Sequence, residues 1–481
     1  MDKRQLLDKS YRVYLNGHWI STGNEIDVVN PATEEVFARV SVVDQVQVRA
    51  ALSAAQDSFA AWRELTARER GVALHHVADE VKRRQDEIAH TITLENGKPL
   101  AQSKGEVAMT EDHLRWFAEE GRRAYGRLVP QQVQGKRNMV MKTPIGVVGA
   151  IAPWNFPLVL AVRKVAPALA AGCPVILKPA SQTPLSSIAF AECVEAAGIP
   201  PGVFQLVIGD APMIAREFLT NPICRKISFT GSTPVGQELI RGAAHSVKPL
   251  SLELGGLAPL LVFDDCDLDR AVQETLVAKF RNTGQSCIAA NRVYIQRQIH
   301  DEFVARFVAG VKKLKVSPGA EAGADIGPLI NQRALVGALE QIEDAVKQGG
   351  KILCGGRRAD MPGYFLEPTV IDGAAEPMLC MQEETFAPIA PLTTFDTEEQ
   401  AIGYANSSRY GLSAYAMTRD VGRIFRLSER IEAGTIGIND GAPTISQSPF
   451  GGVKQSGWGR ELGMEGLDAF LETKHISIGG I

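Results

Sequence analysis

The stretch from Gly146 to Gly198, GVVGAIAPWNFPLVLAVRKVAPALAAGCPVILKPASQTPLSSIAFAECVEAAG, decides the fold because two kinds of pattern alternate along it. Short apolar runs (VVGAI, PVILK) read as strands, and each leads into a longer run of helical character. The alternation continues through VFQLVIG to MIAREFL, KISFTG to VGQELIRGAA, and LSLELGG, so it fills Pro144 to Gly256. Strand–helix units with short connections specify a parallel sheet covered by helices on both faces. Ligands in such sheets sit at the carboxyl ends of the strands. The residues just past each strand, Trp154-Asn155, Lys178-Pro179, Gly231-Ser232 and Glu253-Leu254-Gly255, are therefore the first candidates for a site.

Working outward, the alternation resumes after residue 257 with APLLVF, a helix from Asp267 to Lys279, RVYIQ and another helix, which makes a second α/β unit. Upstream, Asp44 is placed to cap a helix whose apolar face is Val48, Leu52, Ala55, Phe59 and Trp62. Further helices are expected over Val77 to Asp86 and around His113 to Arg123. Val129 to Lys142 is polar, alternating and Gln-rich, and reads as an exposed hairpin able to pair with another chain. Near the end SPFGGVKQSGWGRE concentrates glycines in a loop, and LETKHISIGG reads as a last strand.

The chain's 481 residues suffice for about three domains of roughly 150 residues each. Lys+Arg total 51 against Asp+Glu 55, a formal charge of −4, which lacks the basic footprint a nucleic-acid partner requires. With 45% hydrophobic and 22% charged residues, the chain is a folded protein and not a disordered one. Seven scattered cysteines without a CxxC pair argue against a disulfide framework or a zinc site, and no metal is expected. The first residues lack a signal peptide's apolar core. The apolar run Ala166 to Leu177 is interrupted by Pro167, Gly172 and Pro174, so neither export nor a membrane span is expected and the cytoplasm is the expected location.

No GxxxxGK[ST], HExxH, GxSxG or EF-hand motif is present. Cys287 differs from the other cysteines because it sits in a polar, Gly-containing stretch, FRNTGQSCIAANR. A cysteine nucleophile must be a thiolate, and a free thiol with a pKa of ~8.5 is mostly protonated near neutrality unless neighbours assist. Taken alone, a loop thiol of no consequence is the commoner explanation.

Seven segments change that balance: PWNFP (153–157), ILKPASQTP (176–184), FTGST (229–233), LELGG (252–256), GQSC (284–287), EETF (383–386) and PFGGVKQSG (449–457). With them the chain resembles the aldehyde dehydrogenase superfamily from VVNPAT, near Val28, to LETKHIS, near residue 475. The resemblance implies Cys287 as nucleophile, the Asn155 amide and the Cys287 backbone N–H as oxyanion donors, and Glu253 as general base. Glu472 matches a glutamate sometimes given a relay role, but reads here as a surface or interface carboxylate. For an NADP or NAD cofactor the resemblance implies Lys178 at the adenosine ribose, Gly231 and Ser232 at the pyrophosphate, Glu384 and Phe386 at the nicotinamide ribose, and Trp154 nearby. Ser181 stands where NAD-preferring relatives often carry glutamate, so NADP is expected to be accepted.

Within the superfamily the likeness is greatest to succinate-semialdehyde dehydrogenases, through VRKVAPALAAG, KPASQTP and KFRNTGQSC. It implies that Arg163, Arg281 and the Thr444 hydroxyl hold the substrate's distal carboxylate, for which a guanidinium fork is suited. Thr444 replaces a usual serine, and GAPTISQS departs from the usual loop. Another anion, such as the sulfonate of 3-sulfolactaldehyde, or another short aldehyde acid is therefore an alternative to succinate semialdehyde. Leu257 and Ala387 also depart from the family pattern, and Ala289 excludes a paired cysteine beside the nucleophile. A cofactor-independent cysteine acyltransferase or hydrolase leaves Lys178, Ser232 and Glu384 without a role, and a non-catalytic binding protein gives no reason for Cys287, Glu253 and Asn155.

The architecture implied is a Rossmann-like dinucleotide-binding domain (1–123 and 144–253), an α/β catalytic domain (254–440), and a β oligomerisation arm (124–143 and 460–481), with 441–459 as a returning segment. A homodimer or homotetramer is expected, with a small anionic aldehyde as substrate and with neither nucleic acid nor membrane as partner.

Overall fold

The computed structural model describes residues 11–480, so expectations for residues 1–10 and Ile481 lie outside the described residues. Its first sheet has eight strands. Five are parallel and lie side by side in the order Phe204–Leu206, Val175–Lys178, Val147–Ile151, Cys224–Thr230, Leu250–Glu253. Val13–Leu15 and His18–Ile20 add antiparallel strands at one edge, and Gly457–Trp458 adds one at the other. The chain therefore winds outward from Val147–Ile151 in one direction, then returns to place Cys224–Thr230 on its other side. The crevice past the carboxyl ends of these two strands is where such sheets bind ligands.

The expected helices flank this sheet. Gln45–Glu64 starts at Asp44, whose side chain accepts from Gln47 N–H while Gln47 reciprocates, forming a capping box. Val159–Ala171 is buried along its whole length, so its Arg163 and Lys164 are interior charges. The helix expected over Val77 to Asp86 is two helices, Ala67–Arg83 and Gln85–Asn96, separated at Arg84, whose φ of −99° and ψ of 15° leave the helical region. The helix near His113 is longer than expected, Leu100–Glu120, and ends in a 3-10 turn at Gly121–Arg123.

A second sheet has seven strands, in the order Lys351–Cys354, Thr369–Asp372, Ile389–Phe395, Ala290–Gln296, Ala258–Val262, Ser413–Met417, Thr435–Ile438. All but the first pair are parallel. A separate antiparallel sheet joins Leu471–Gly479 to Lys136–Pro144 and Arg127–Val129. This is the expected hairpin with the last strand beside it. It leaves Tyr125 73% and Leu128 80% exposed. No helix among the described residues is long and apolar enough to cross a membrane.

Candidate active site

The loops that leave the first sheet meet loops that enter the second. Pro153–Asn155 follow Val147–Ile151, and Gly231-Ser232 follow Cys224–Thr230. Cys287 lies just before Ala290–Gln296, and Glu384 and Phe386 lie just before Ile389–Phe395. Together with Leu254 and Gly255 these residues line a cleft of about 240 Å³. Seven of the expected site residues, Trp154, Asn155, Gly231, Ser232, Cys287, Glu384 and Phe386, thus converge at the crevice the strand order marks. A larger cavity of about 360 Å³, lined by Arg292, Arg409 and Glu376 among others, does not include Cys287.

Cys287 is half-buried, and burial, reinforced by Glu384, pushes its thiol up to about 12. Arg163 and Arg281 act in the opposite direction. The resting group is accordingly a thiol that needs a base. Gly256 packs against it so closely that a Cβ there would lie 2.4 Å from the Cys287 carbonyl oxygen. Asn155 is 4% exposed, and its Nδ2 donates to the Gln285 carbonyl at 3.2 Å, which leaves its second amide hydrogen for the cleft.

Glu253 ends its strand buried, with Oε2 lacking a partner. Burial raises its carboxyl well above the usual range, and Glu461 raises it further. It does not line the cofactor-side cleft but lies within electrostatic reach of Cys287. A Cβ on Gly451 would come 2.7 Å from its Oε1, which explains a glycine in PFGGVKQSG. Glu461, itself buried, returns to this point through paired backbone hydrogen bonds with Phe450. Its Oε1 accepts from Lys164 Nζ, which also donates to Thr230 Oγ1 at 2.5 Å. Sequence reasoning missed Lys164 and Glu461. The available signal was a lysine inside an apolar helix, which requires a buried partner. Glu472, by contrast, is exposed on Leu471–Gly479, opposite Thr143.

The cleft's other wall fits a dinucleotide. Ser232 begins the helix Thr233–Ala243, and no side chain caps it, so first-turn N–H groups remain for a phosphate. Glu384 accepts from Gly256 N–H at 3.3 Å, and burial raises its carboxyl to about 8. Phe386 holds a φ of 42°, and its ring meets Trp154 edge-on at 5.5 Å, so Trp154 both lines the cleft and packs. A non-glycine residue in the left-handed region is a strain more often found at sites than elsewhere. Lys178 ends the next strand over and Ser181 follows it, and neither lines the cleft. Burial lowers the Lys178 ammonium to about 8.

Arg163 and Arg281 lie within electrostatic reach of each other and of Cys287. Arg163 is 5% exposed, its Nε has no partner, and its guanidinium lies 4.8 Å from the Phe450 ring centre. Arg281 lies 5.4 Å from the Phe156 ring centre. Among the described residues neither arginine forms an ion pair or donates a side-chain hydrogen bond. Thr444 has a buried hydroxyl without a partner; no hydrogen bond ties it to the arginines.

The chain matches the family model described as "Aldehyde dehydrogenase family" over residues 19–476. It is 45% identical over 472 residues to a glutarate-semialdehyde dehydrogenase of Pseudomonas aeruginosa, covering 98% of each chain. It is 45% identical over 467 residues to the NADP(+) succinate-semialdehyde dehydrogenase of Escherichia coli, covering 97% of each. It is also 44% identical over 472 residues to a 3-sulfolactaldehyde dehydrogenase of Pseudomonas putida, covering 98% of this chain and 97% of that one. Among solved structures, a succinate-semialdehyde dehydrogenase from Burkholderia pseudomallei superposes with a TM-score of 0.97 at 44% identity, covering 100% of both chains.

Proposed function

Because the chain belongs to the aldehyde dehydrogenase family, we propose that it oxidises a short aldehyde bearing a distal anionic group, succinate semialdehyde first, to the acid through a thioester on Cys287. The enzyme is an NAD(P)-dependent oxidoreductase. One observation carries the substrate class: Arg163, which is buried, and Arg281 stand together near Cys287, and among the described residues neither forms an ion pair or donates a side-chain hydrogen bond. Burying a charge without a partner is costly. A substrate carboxylate placed between the two guanidiniums supplies that partner and ends their mutual repulsion. The names of the relatives, which span succinate, glutarate and sulfolactaldehyde substrates, agree with a conserved distal anion and leave chain length and anion type to this protein's own pocket.

In the proposed reaction the Cys287 thiol gives up its proton to solvent, with Arg163 and Arg281 favouring the thiolate, and the thiolate forms a C–S bond to the aldehyde carbon. The resulting oxyanion accepts from Asn155 Nδ2 and from the Cys287 backbone N–H. The dinucleotide, when bound against Ser232, Glu384, Phe386 and Lys178, supplies the two-electron acceptor that turns this adduct into a thioester. Glu253 then takes a proton from water as the water attacks the thioester carbon, and the C–S bond breaks to release the acid and the thiolate. Glu461, held by Lys164 and within electrostatic reach of Glu253, is placed to draw the proton from Glu253 afterwards.

Arg163→Ala or Arg281→Ala is expected to raise KM for succinate semialdehyde about 10- to 100-fold, the effect of losing a charge-assisted hydrogen bond. KM for a neutral aldehyde of similar length should change little. Equal losses on both substrates reject the paired-arginine reading. The same kinetics with both dinucleotides test Ser181: its hydroxyl leaves room for a 2′-phosphate and offers it a donor. NADP is accepted on this reading, and a tenfold or greater advantage for NAD in kcat/KM overturns it.

The division into a dinucleotide-binding domain, a catalytic domain and an arm, with the boundaries given above, is part of the same proposal. The arm's exposed Tyr125 and Leu128 and the outer edges of its three-stranded sheet suit pairing with a second copy, giving a homodimer or homotetramer. A monomer in sedimentation at micromolar concentration would reject it.

A further inference from the structure

One segment, Asn96 to Glu106, turns three polar side chains toward the backbone of residues 154–159. Asn96 Nδ2 donates to the Trp154 carbonyl at 3.0 Å. Lys98 Nζ donates to the Asn155 carbonyl at 2.8 Å and to Glu106 Oε2 at 2.5 Å. Glu106 Oε1 accepts from Leu158 N–H at 2.9 Å and Val159 N–H at 3.2 Å, at the start of the helix that carries Arg163 and Lys164. The Asn155 carbonyl also receives Asn282 Nδ2 at 2.8 Å, from the segment leading to Cys287. Asn96, Lys98, Glu106 and Asn282 are all at most 1% exposed. The Lys98 ammonium lies 3.9 Å from the Phe156 ring centre.

A fully buried ion pair rarely contributes net stability over apolar packing, and its better attested use is to fix one geometry. This pair fixes the backbone of Asn155. We propose that Lys98, with Glu106 as its counter-ion, is a positioning residue for the oxyanion donor: by pinning the Asn155 carbonyl it sets where the Asn155 side-chain amide points relative to Cys287. The assignment rests on Asn155 acting as that donor. Preorganised donors work only when aimed at the place where charge develops, and a displacement of about 1 Å costs on the order of 100-fold in rate.

The test is a double-mutant cycle. Lys98→Met alone leaves Glu106 as an unpaired buried charge, so Lys98→Met/Glu106→Gln, which removes both charges together, is made beside it. Thermal unfolding and dinucleotide binding report whether each variant is folded. For whichever is folded, kcat for succinate semialdehyde should fall about 10- to 100-fold, with KM changed less than about threefold. In an Asn155→Ala background the same change should cost no more than about twofold, because the group being positioned is gone. An undiminished kcat in a folded variant, or the same fractional loss in both backgrounds, overturns the assignment. If Asn155→Ala alone leaves kcat intact, it is the oxyanion reading that fails.

Discussion

Cys287→Ala is expected to lower kcat about 10,000-fold or more while leaving dinucleotide binding unchanged, because the only covalent handle for the aldehyde carbon is lost. Both halves of the expectation come from the site's geometry. Of the seven cysteines, four are buried and Cys266, Cys287 and Cys354 are partly exposed; Cys287 alone lines the cleft. The cofactor contacts assigned to Ser232, Glu384, Phe386 and Lys178 come from other segments, so shortening the Cys287 side chain should not disturb them. Fluorescence titration with the reduced dinucleotide checks binding, and absorbance at 340 nm checks turnover. Turnover within tenfold of the unaltered enzyme would remove Cys287 from the chemistry.

Glu253→Gln comes next in size, with an expected loss in kcat of about 100- to 10,000-fold, the range for removing a general base. Gln keeps the shape and cannot take a proton. The thioester should then form and persist, so the first turnover appears as a burst followed by slow release. The pH dependence has a definite sign. Burial and Glu461 raise the Glu253 carboxyl well above its ordinary range, and only the ionised carboxylate is a base. The rate of the unaltered enzyme should climb as pH rises through that raised value, and the variant should lose this limb. A variant that keeps both the limb and the rate would exclude Glu253 as the base.

The parallel sheet was legible because period and punctuation agree between Pro144 and Gly256, and Asp44 marked its helix through a side chain that caps locally. The break at Arg84 was not legible. Lys82, Arg83, Arg84 and Gln85 include neither glycine nor proline, and the buried Val81 and Ile88 continue one apolar face across it. The cleft residues were legible because each follows or precedes a strand within a recognisable segment. Lys164 and Glu461 were not, since their pairing spans 297 residues: a lysine inside an apolar helix signals a buried partner without saying which residue it is. Lys98 and Glu106 escaped notice for another reason: besides each other, their partners are backbone atoms of another segment, and backbone partners leave no trace in residue types. The paired arginines were legible through resemblance, but that neither forms an ion pair among the described residues required coordinates.

In the proposed reaction an aldehyde with a distal anion becomes covalently attached to Cys287. Glu253→Gln mixed with succinate semialdehyde and oxidised dinucleotide, quenched in acid after one turnover and analysed by peptide mass spectrometry, tests it most directly. One succinyl group is expected on the peptide carrying Cys287, lost on treatment with hydroxylamine and absent when Cys287 is also replaced by Ala. An unmodified Cys287 peptide despite cofactor reduction, or a succinyl group on any other residue, would contradict it.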